Sequence, residues 1–250
     1  MHPVVAPLRL HEGGRTDAVR EAAVVLLAVP DAAIGSVAAE LARDATIESR
    51  HAVLHLSGLL DRGALAALAP TGAALGSFHP LQTVSDPASA PERLQGAYAG
   101  VEGDERALAA GQGLADSLGM TPVAIPPAAK PAYHAGAAIA ANYTVVLAAV
   151  AERLATSAGV TPDVARRLYL PLIRGAAANL EIGPVAALTG PVRRGDAETV
   201  AAHLRALRPG DRELYLLLAR EALRLAREAG LSAEAGDRVA QALGSESGEP

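Results

Sequence analysis

The sequence contains no cysteine, no tryptophan and a single lysine, Lys130, among its 22 basic residues. Without cysteine there is no disulfide, no thiolate metal ligand and no cysteine nucleophile. The formal net charge of −5 and the absence of a basic stripe argue against a protein that binds nucleic acid. No histidine–carboxylate cluster has the spacing of a metal site, and the Gly-x-Ser-x-Gly turn of many hydrolases is missing. The sequence therefore predicts neither a metal site nor a nucleic-acid partner.

Long apolar runs are also scarce. The longest, residues 135–151, is mostly alanine and is interrupted by Asn142, Tyr143 and Thr144. It falls short of the roughly 20 strongly apolar residues that a membrane-spanning helix needs. The first residues do not have the basic segment and apolar run of a secretory signal. We therefore expect this run to be a buried helix in a soluble, cytoplasmic protein with no membrane partner.

Three continuous apolar runs in the first half are typical of buried parallel strands. They are AVVLLAV (23–29), AVLHLSG (52–58) and AALGSFHP (73–80), and segments with helical spacing separate them. From residue 131 onward only helical patterns are found. The sequence predicts an α/β fold, with a parallel sheet domain over residues 1–127, an all-helical domain over 128–243 and a disordered tail over 244–250.

Turn-forming and polar residues follow each of the three apolar runs. Val29 and Pro30 end the first, Ser57 and Gly58 end the second, and His79 ends the third. Ligands of parallel sheets lie in the crevice beyond the carboxyl ends of the strands, which makes these residues candidates for a binding site. The alternative is ordinary turn chemistry, since proline, glycine and serine are common in turns. For His79 the alternative is a structural hydrogen bond to the backbone.

Lys130 precedes a proline, and proline favours the first position of a helix. We expect Lys130 at the mouth of a helix, with His134 one turn further on and Asn142 along the same side. A desolvated ammonium has a lowered pKa, which suits Lys130 to donate a proton to a carbonyl oxygen during hydride transfer. His134 could assist, and the Asn142 amide could orient a substrate. The alternatives are a solvated lysine, a core histidine and an asparagine that caps or bridges helices.

Together these motifs resemble a family of Rossmann-like proteins whose second half is a helical domain of formerly unknown function. The resemblance rests on LLAVPDAAI, LHLSG, GSFHPLQT, EGD, K-x-x-YH, ANY, LPLIRGAAANL, GPVAALTGP and RGDAETVAAHL. Relatives of this family are the ketopantoate reductases and the β-hydroxyacid and 6-phosphogluconate dehydrogenases. The resemblance implies a sheet domain that binds NADP, a substrate between the two domains, and a homodimer formed through the helical domain.

The resemblance also implies roles for individual residues. Lys130 matches the lysine that acts on the substrate oxygen in the better-known dehydrogenases, and His134 stands where they have an asparagine. Asn142 is the third candidate catalytic residue. The candidate cofactor contacts are Val29, Pro30, Ser57 and Gly58, and the candidate substrate contacts are His79 and Thr189.

The start of the chain departs from this family. A strand followed by G-x-G-x-x-G should hold the cofactor pyrophosphate, and no such motif is present. The first residues, MHPVVAPLRLHEGGR, resemble a second strand and its loop, so we expect an incomplete Rossmann sheet. Either the start is placed too late, or the protein is a natural truncation that binds dinucleotide poorly. If NADP binds, Arg9 would meet its 2′-phosphate; otherwise Arg9 belongs to a solvated terminal segment.

Two functions follow from these observations. The first is an NADP-dependent oxidoreductase that reduces a small 2-oxo acid or a related carbonyl compound, with NADPH as its cofactor. The second is a truncated, non-catalytic module that dimerises or binds a ligand and has lost dinucleotide binding.

Overall fold

The computed structural model describes residues 16–84 and 86–244 of the chain. Contacts divide the chain into two compact units, Met1–Thr144 and Val145–Pro250. This division lies C-terminal to the predicted boundary at 127/128. Arg9, the strand predicted around it and residues 245–250 of the predicted tail lie outside the described residues.

Five strands form one mostly parallel sheet in the first unit, which confirms the predicted α/β class. The strands are β1 (Val24–Leu27), β2 (Ala52–His55), β3 (Ala74–Leu81), β4 (Tyr98–Gly103) and β5 (Thr121–Ala124), and they lie side by side in this order. Strands β1, β2 and β3 are parallel, and β5 is parallel to β4.

One pair of neighbouring strands departs from the parallel pattern, because β4 runs antiparallel to β3. A parallel crossover needs a long connection, usually a helix. The connection from β3 to β4 contains only short helical turns around Pro87 and Pro91. The chain therefore turns back along β3 instead of crossing the sheet.

Helices and a long 3-10 helix cover both faces of this sheet. Neighbouring residues of β2 point to opposite faces, so that Val53 packs with Ile34 and Leu65, whereas Leu54 packs with Phe78. Burial on both faces explains why the strands are continuous apolar runs. The helices of this unit are α1 (Thr16–Glu21), α2 (Asp31–Arg43), the 3-10 helix Arg62–Thr71, α3 (Ala90–Leu94), α4 (Glu105–Ser117) and α5 (Lys130–Ala140).

From residue 142 onward the described residues form helices, as the sequence predicts. These are α6 (Asn142–Ser157), α7 (Pro162–Leu168), α8 (Leu170–Asn179), α9 (Pro184–Ala187), α10 (Pro191–Arg194), α11 (Ala197–Ala206), α12 (Pro209–Glu228) and α13 (Ala233–Gly244). Val200, Leu204, Leu223 and Val239 are central in the core of the second unit. The sequence interpretation did not single out α13, because its segment AEAGDRVAQALG has few large apolar residues.

The apolar run 135–151 is not a buried helix, and this prediction is wrong. Helices α5 and α6 adjoin within the helical stretch Pro127–Ser157, and none of its most apolar 18-residue segment is buried. Ile139 is 62% exposed and Val145 is 69% exposed. The sequence shows that this helix is apolar, but it does not show whether other residues of the same chain cover it.

The stretch Pro127–Ser157 is long and apolar enough to cross a membrane by length and composition alone. Its first turn is nevertheless held against the sheet, because Lys130 is buried there and hydrogen-bonds to Ser77 of β3. One helix of this kind is weak evidence, and it does not indicate a membrane protein.

Candidate active site

Polar side chains of β3 and β4 share one face of the sheet. Ser77 and His79 are two residues apart on β3, so their side chains point to the same side. Glu102 is the cross-strand partner of Ser77 and also points to that side. Phe78 points to the opposite face, where it belongs to the apolar core packed against α4. On β3 and β4, the polar side chains Ser77, His79 and Glu102 therefore lie on one face of the sheet and Phe78 lies on the other.

Lys130 is buried against this polar face, with 1% of its surface exposed. It is the first residue of α5, and Pro131 follows it in the first turn. Its Nζ donates hydrogen bonds to Ser77 Oγ (2.7 Å) and to the backbone carbonyl of Ser57 (3.3 Å). An ammonium has three hydrogens, and these bonds use two of them. Lys130 is therefore not a solvated helix end.

Burial lowers the pKa of Lys130, because the ammonium loses its hydration there. The carboxylates of Glu102, Asp61 and Asp31 oppose this effect and favour the charged form. A lysine with a lowered pKa gives up a proton more readily than a solvated lysine, which is what a proton donor requires.

A short loop after β2 links the carboxyl ends of β1 and β2. Ser57 Oγ donates a hydrogen bond to Asp31 Oδ2 (2.7 Å) and accepts from two backbone amides of its own loop. Asp31 begins α2 directly after Val29 and Pro30, the candidate residues at the end of β1. The loop thus places Ser57 between the Lys130 ammonium and the start of α2.

His55 fixes this loop from the end of β2. Its Nδ1 accepts a hydrogen bond from the Ser57 N–H (3.2 Å), and its Nε2 lies 3.0 Å from the Asp61 carbonyl. Because Nδ1 is an acceptor, Nε2 carries the proton and donates to Asp61. Burial is the main reason that the pKa of His55 is lowered. The ring is therefore neutral at pH 7 and holds both ends of the loop.

Two histidines and a tyrosine cluster on the same face of the sheet as Ser77. His79 Nδ1 lies 3.0 Å from the Tyr133 hydroxyl, and the His79 ring meets Tyr133 and His134 edge-on at centroid distances of 5.6 and 5.5 Å. Burial lowers the pKa of His79 to about 4, and the charges of His134 and Lys130 act in the same direction. His79 is therefore a neutral imidazole at physiological pH.

Two glycines allow these rings to approach the backbone. A Cβ at Gly58 would lie 2.5 Å from His134 Nδ1 and 2.8 Å from His79 Cε1, and one at Gly100 would lie 2.6 Å from the Tyr133 hydroxyl. Only glycine permits such close approach. His134 Nδ1 is buried and has no hydrogen-bond partner among the described residues. Gly58, a predicted cofactor contact, therefore packs against the imidazole rings of His134 and His79.

Glu102 is a buried carboxyl group that the sequence interpretation did not identify. It is 3% exposed, and its Oε2 accepts a hydrogen bond from the Arg62 N–H (2.8 Å). Burial raises the pKa of Glu102, whereas the Arg62 amide and the Lys130 ammonium lower it. Of the carboxylates that favour the charged form of Lys130, Glu102 has the largest effect.

The structure brings together Lys130, His134, His79, Ser57 and Gly58. Sequence reasoning missed Ser77, Tyr133 and Glu102. For Ser77 a signal was present, because Ser77 and His79 are polar residues at alternate positions of an apolar strand.

The remaining predicted site residues are Asn142, Thr189, Arg9, Val29 and Pro30. Asn142 is exposed and is the first residue of α6, and Ala141 (φ −104°, ψ −65°) separates it from the end of α5. Thr189 is an exposed residue of the second unit, and Arg9 lies outside the described residues. Val29 is half-buried and Pro30 is exposed, directly before α2.

Among the described residues, no group of three or more histidine, cysteine, aspartate or glutamate side chains is placed to hold a metal ion. The described residues fit a dinucleotide only in part. Val29, Pro30 and Ser57 follow β1 and β2, where the sequence predicts contacts with a cofactor. The sequence has no G-x-G-x-x-G turn for the pyrophosphate, and Asp31 places a negative charge in the first turn of α2. The described residues therefore include no glycine turn that would hold a pyrophosphate.

Sheet, crossover helices and polar strand ends define a Rossmann-like protein with a helical C-terminal part. A family model for a Rossmann-like domain matches residues 9–80, and the model for Domain of unknown function DUF2520 matches residues 97–222. The solved structure of a protein from Thermotoga maritima is 30% identical with a TM-score of 0.69, over 83% of this chain and 79% of that chain. The chain belongs to the DUF2520 family, which confirms the resemblance seen in its motifs.

Two further solved structures share the fold. A protein of Bacteroides fragilis, named for a suggested NADP oxidoreductase activity, is 23% identical with a TM-score of 0.62, over 80% of this chain and 75% of that chain. A pyrroline carboxylate reductase of Plasmodium falciparum, solved with NADP bound, is 13% identical with a TM-score of 0.54, over 91% of this chain and 80% of that chain. At such identities the likeness shows the fold alone. No curated protein matches the chain.

Proposed function

We propose that the protein is an NADP-dependent oxidoreductase that reduces a small 2-oxo acid or a related carbonyl compound. The observation that carries this proposal is the buried Lys130 ammonium, which Ser77 and the Ser57 carbonyl hold beside the carboxyl end of β2. Two fold neighbours support it, since one is named for a suggested NADP oxidoreductase activity and another was solved with NADP bound.

Lys130 is the proposed proton donor. A bound nicotinamide cofactor supplies the hydride that reduces the carbonyl carbon. As negative charge develops on the carbonyl oxygen, the Lys130 ammonium stabilises it and transfers one proton from Nζ, so that the product is an alcohol. Lys130 is then neutral, a form that its burial favours, and it regains a proton from solvent.

Ser77 and Ser57 have positioning roles in this proposal. Their oxygen atoms accept from Nζ and leave the third ammonium hydrogen for the substrate. His134 is an auxiliary group that orders the loop by packing on Gly58. Val29, Pro30 and Ser57 would contact the nicotinamide end of the cofactor. Contacts from Arg9, Asn142 and Thr189 to cofactor or substrate stay predictions from the sequence.

We also propose that the protein is a cytoplasmic homodimer formed through its helical part. Ile139, Tyr143, Val145 and Val146 are apolar side chains with exposed fractions between 51% and 69% in the helices that follow Lys130. Contiguous exposed apolar surface is typical of an interface between proteins. Covering these side chains with a second copy of the chain would remove that surface from water.

The test of the proposed activity is NADPH oxidation in the presence of a substrate panel. The panel contains 2-oxo acids, simple aldehydes and a cyclic imino acid, the last because one fold neighbour is named a pyrroline carboxylate reductase. Lys130→Met should keep NADPH binding but lower turnover by about 100-fold or more, the usual effect of losing a positioned proton donor. Arg50→Met, at an exposed cation, is the matched control and should keep full turnover.

Two results would contradict the proposal. Full turnover by Lys130→Met would remove Lys130 from the chemistry. A wild-type protein that neither binds NADPH nor oxidises it with any member of the panel would favour the rival function, a non-catalytic module that dimerises or binds a ligand.

A further inference from the structure

The contact between Tyr133 and His79 determines which ring nitrogen of His79 carries the proton. The Tyr133 hydroxyl lies 3.0 Å from His79 Nδ1 and packs directly on Gly100. Burial raises the pKa of Tyr133, so the phenol keeps its proton. A phenol hydroxyl can donate or accept, and the Tyr133 oxygen already accepts a hydrogen bond from the Gly100 backbone, which leaves its O–H to donate. The arrangement assigned to this pair therefore has the Tyr133 O–H donating to Nδ1, with Nδ1 of His79 unprotonated.

This arrangement leaves the imidazole proton of His79 on Nε2. A neutral imidazole has one N–H, and when Nδ1 accepts, Nε2 carries the hydrogen. The Nε2–Cε1 edge of the ring faces the loop after β2, since a Cβ at Gly58 would lie 2.8 Å from Cε1 and 2.9 Å from Nε2. Gly58 follows Ser57, whose carbonyl accepts from Lys130. The His79 N–H and the Lys130 ammonium therefore lie at the same short loop.

We infer that His79 donates a hydrogen bond from Nε2 to the substrate oxygen, and that Tyr133 is the positioning residue that fixes this tautomer. The inference rests on the proposed function and deepens it. Together His79 and Lys130 would supply one neutral and one charged donor to the oxygen on which charge develops.

The two donors have different tasks because only one of them is charged. Burial and the charges of His134 and Lys130 keep His79 neutral against the weaker, opposite effect of Asp31. A neutral imidazole holds its remaining proton far more strongly than an ammonium, so His79 stabilises the oxygen without transferring a proton. Proton transfer is then left to Lys130.

Nitrogen NMR of the histidine rings in the full-length protein tests the tautomer directly. The chain has seven histidines, and the His79 signals are identified by their loss in His79→Gln. At neutral pH we expect His79 with Nδ1 unprotonated and Nε2 protonated. Tyr133→Phe should convert it to a mixture of tautomers. A His79 ring protonated on Nδ1, an imidazolium, or a ring that Tyr133→Phe leaves unchanged would overturn the inference.

The chain offers a matched control in its second unit. There the Tyr215 hydroxyl lies 2.9 Å from His203 Nδ1, in a contact of the same kind. Tyr215→Phe should change the His203 signals and leave those of His79 unaltered. A change at His79 would mean that the spectra report general loosening of the protein, and would overturn the assignment of the tautomer to Tyr133.

Activity provides the second readout. Tyr133→Phe should lower kcat by about 10-fold with KM nearly unchanged, less than the roughly 100-fold cost of losing a whole donor to a developing oxyanion. Unchanged kcat would overturn the role toward the substrate. The NMR experiment needs neither cofactor nor substrate. A wild-type protein without turnover would therefore count against the proposed function, whereas a wrong tautomer would count against this inference alone.

Discussion

Replacing Lys130 by methionine should stabilise the fold while it removes the proposed proton donor. Methionine keeps a long, flexible side chain but removes an ammonium that is almost completely buried. Burying the ammonium costs several kcal/mol, and the hydrogen bonds to Ser77 Oγ and the Ser57 carbonyl stabilise it by at most about 1.5–3 kcal/mol each. Because the pKa of Lys130 is lowered, burial destabilises the ammonium by more than its surroundings stabilise it. The Ser77 hydroxyl and the Ser57 carbonyl lose a partner in this variant, which offsets part of the gain, so we expect the free energy of unfolding to increase by only about 1 kcal/mol.

Ser77→Ala is the opposing variant for this prediction. It leaves the ammonium buried but removes its 2.7 Å acceptor, so the free energy of unfolding should fall by about 1.5–3 kcal/mol. Urea unfolding of both variants, followed by circular dichroism, gives the comparison from the midpoints at equal slopes. A Lys130→Met protein that is less stable than the wild type would refute the reasoning, since Lys130 would then be a net stabilising residue.

The difference in unfolding free energy between Lys130→Met and the wild type should depend on pH. The pKa of Lys130 is lower in the folded protein than in the unfolded chain, where it is about 10.4. Between these two values the unfolded chain binds more protons, so wild-type stability rises with pH. The extra stability of Lys130→Met is therefore fully present at pH values below the pKa of Lys130 in the folded protein. It disappears as the pH approaches the pKa of Lys130 in the unfolded chain. A difference that stays constant over this range would contradict the assignment of the burial cost to Lys130.

Three further predictions concern Gly58, Glu102 and the proposed dimer. Gly58→Ala should lower the free energy of unfolding by about 1–3 kcal/mol, because its Cβ would lie 2.5–2.9 Å from atoms of two imidazole rings. The control is Gly113→Ala, whose Cβ would have no atom within 4 Å and which should not destabilise the protein. Glu102→Gln removes the carboxylate that most raises the pKa of Lys130, so the corresponding limb of the pH–rate profile should move to lower pH, and an unmoved limb would exclude this coupling. Val145→Asp should convert the proposed dimer to monomers in sedimentation equilibrium, and a monomeric wild type would contradict the dimer.

The sequence predicted the sheet well, because strands buried on both faces must be continuous apolar runs. The direction of β4 was not predictable in the same way, since an apolar pattern is the same for a strand that runs either way. The exposure of α5 and α6 was missed for a related reason. Apolar composition favours burial in some assembly, but not within one copy of the chain.

The site was only partly visible in the sequence. Proline at position 131 correctly indicated that Lys130 stands at a helix start, but its burial depends on Ser77, which is 53 residues earlier in the chain. Tyr133 and Glu102 resemble ordinary helix and strand residues until the fold places them beside His79 and Ser77. The spacing argument for Asn142 assumed one continuous helix, whereas α5 ends at Ala140 and α6 begins at Asn142, and a role for Asn142 stays a prediction.

The proposed function requires that this chain bind a nicotinamide dinucleotide, for which the loops after β1 and β2 are the proposed site, although the sequence has no G-x-G-x-x-G turn. The most direct measurement is a titration of NADPH fluorescence with the folded protein, beside Lys130→Met and with NADH for comparison. We predict saturable binding of NADPH that Lys130→Met retains. Absence of saturable binding to a folded wild-type protein would contradict the claim and would leave a ligand-binding or dimerising module as the function.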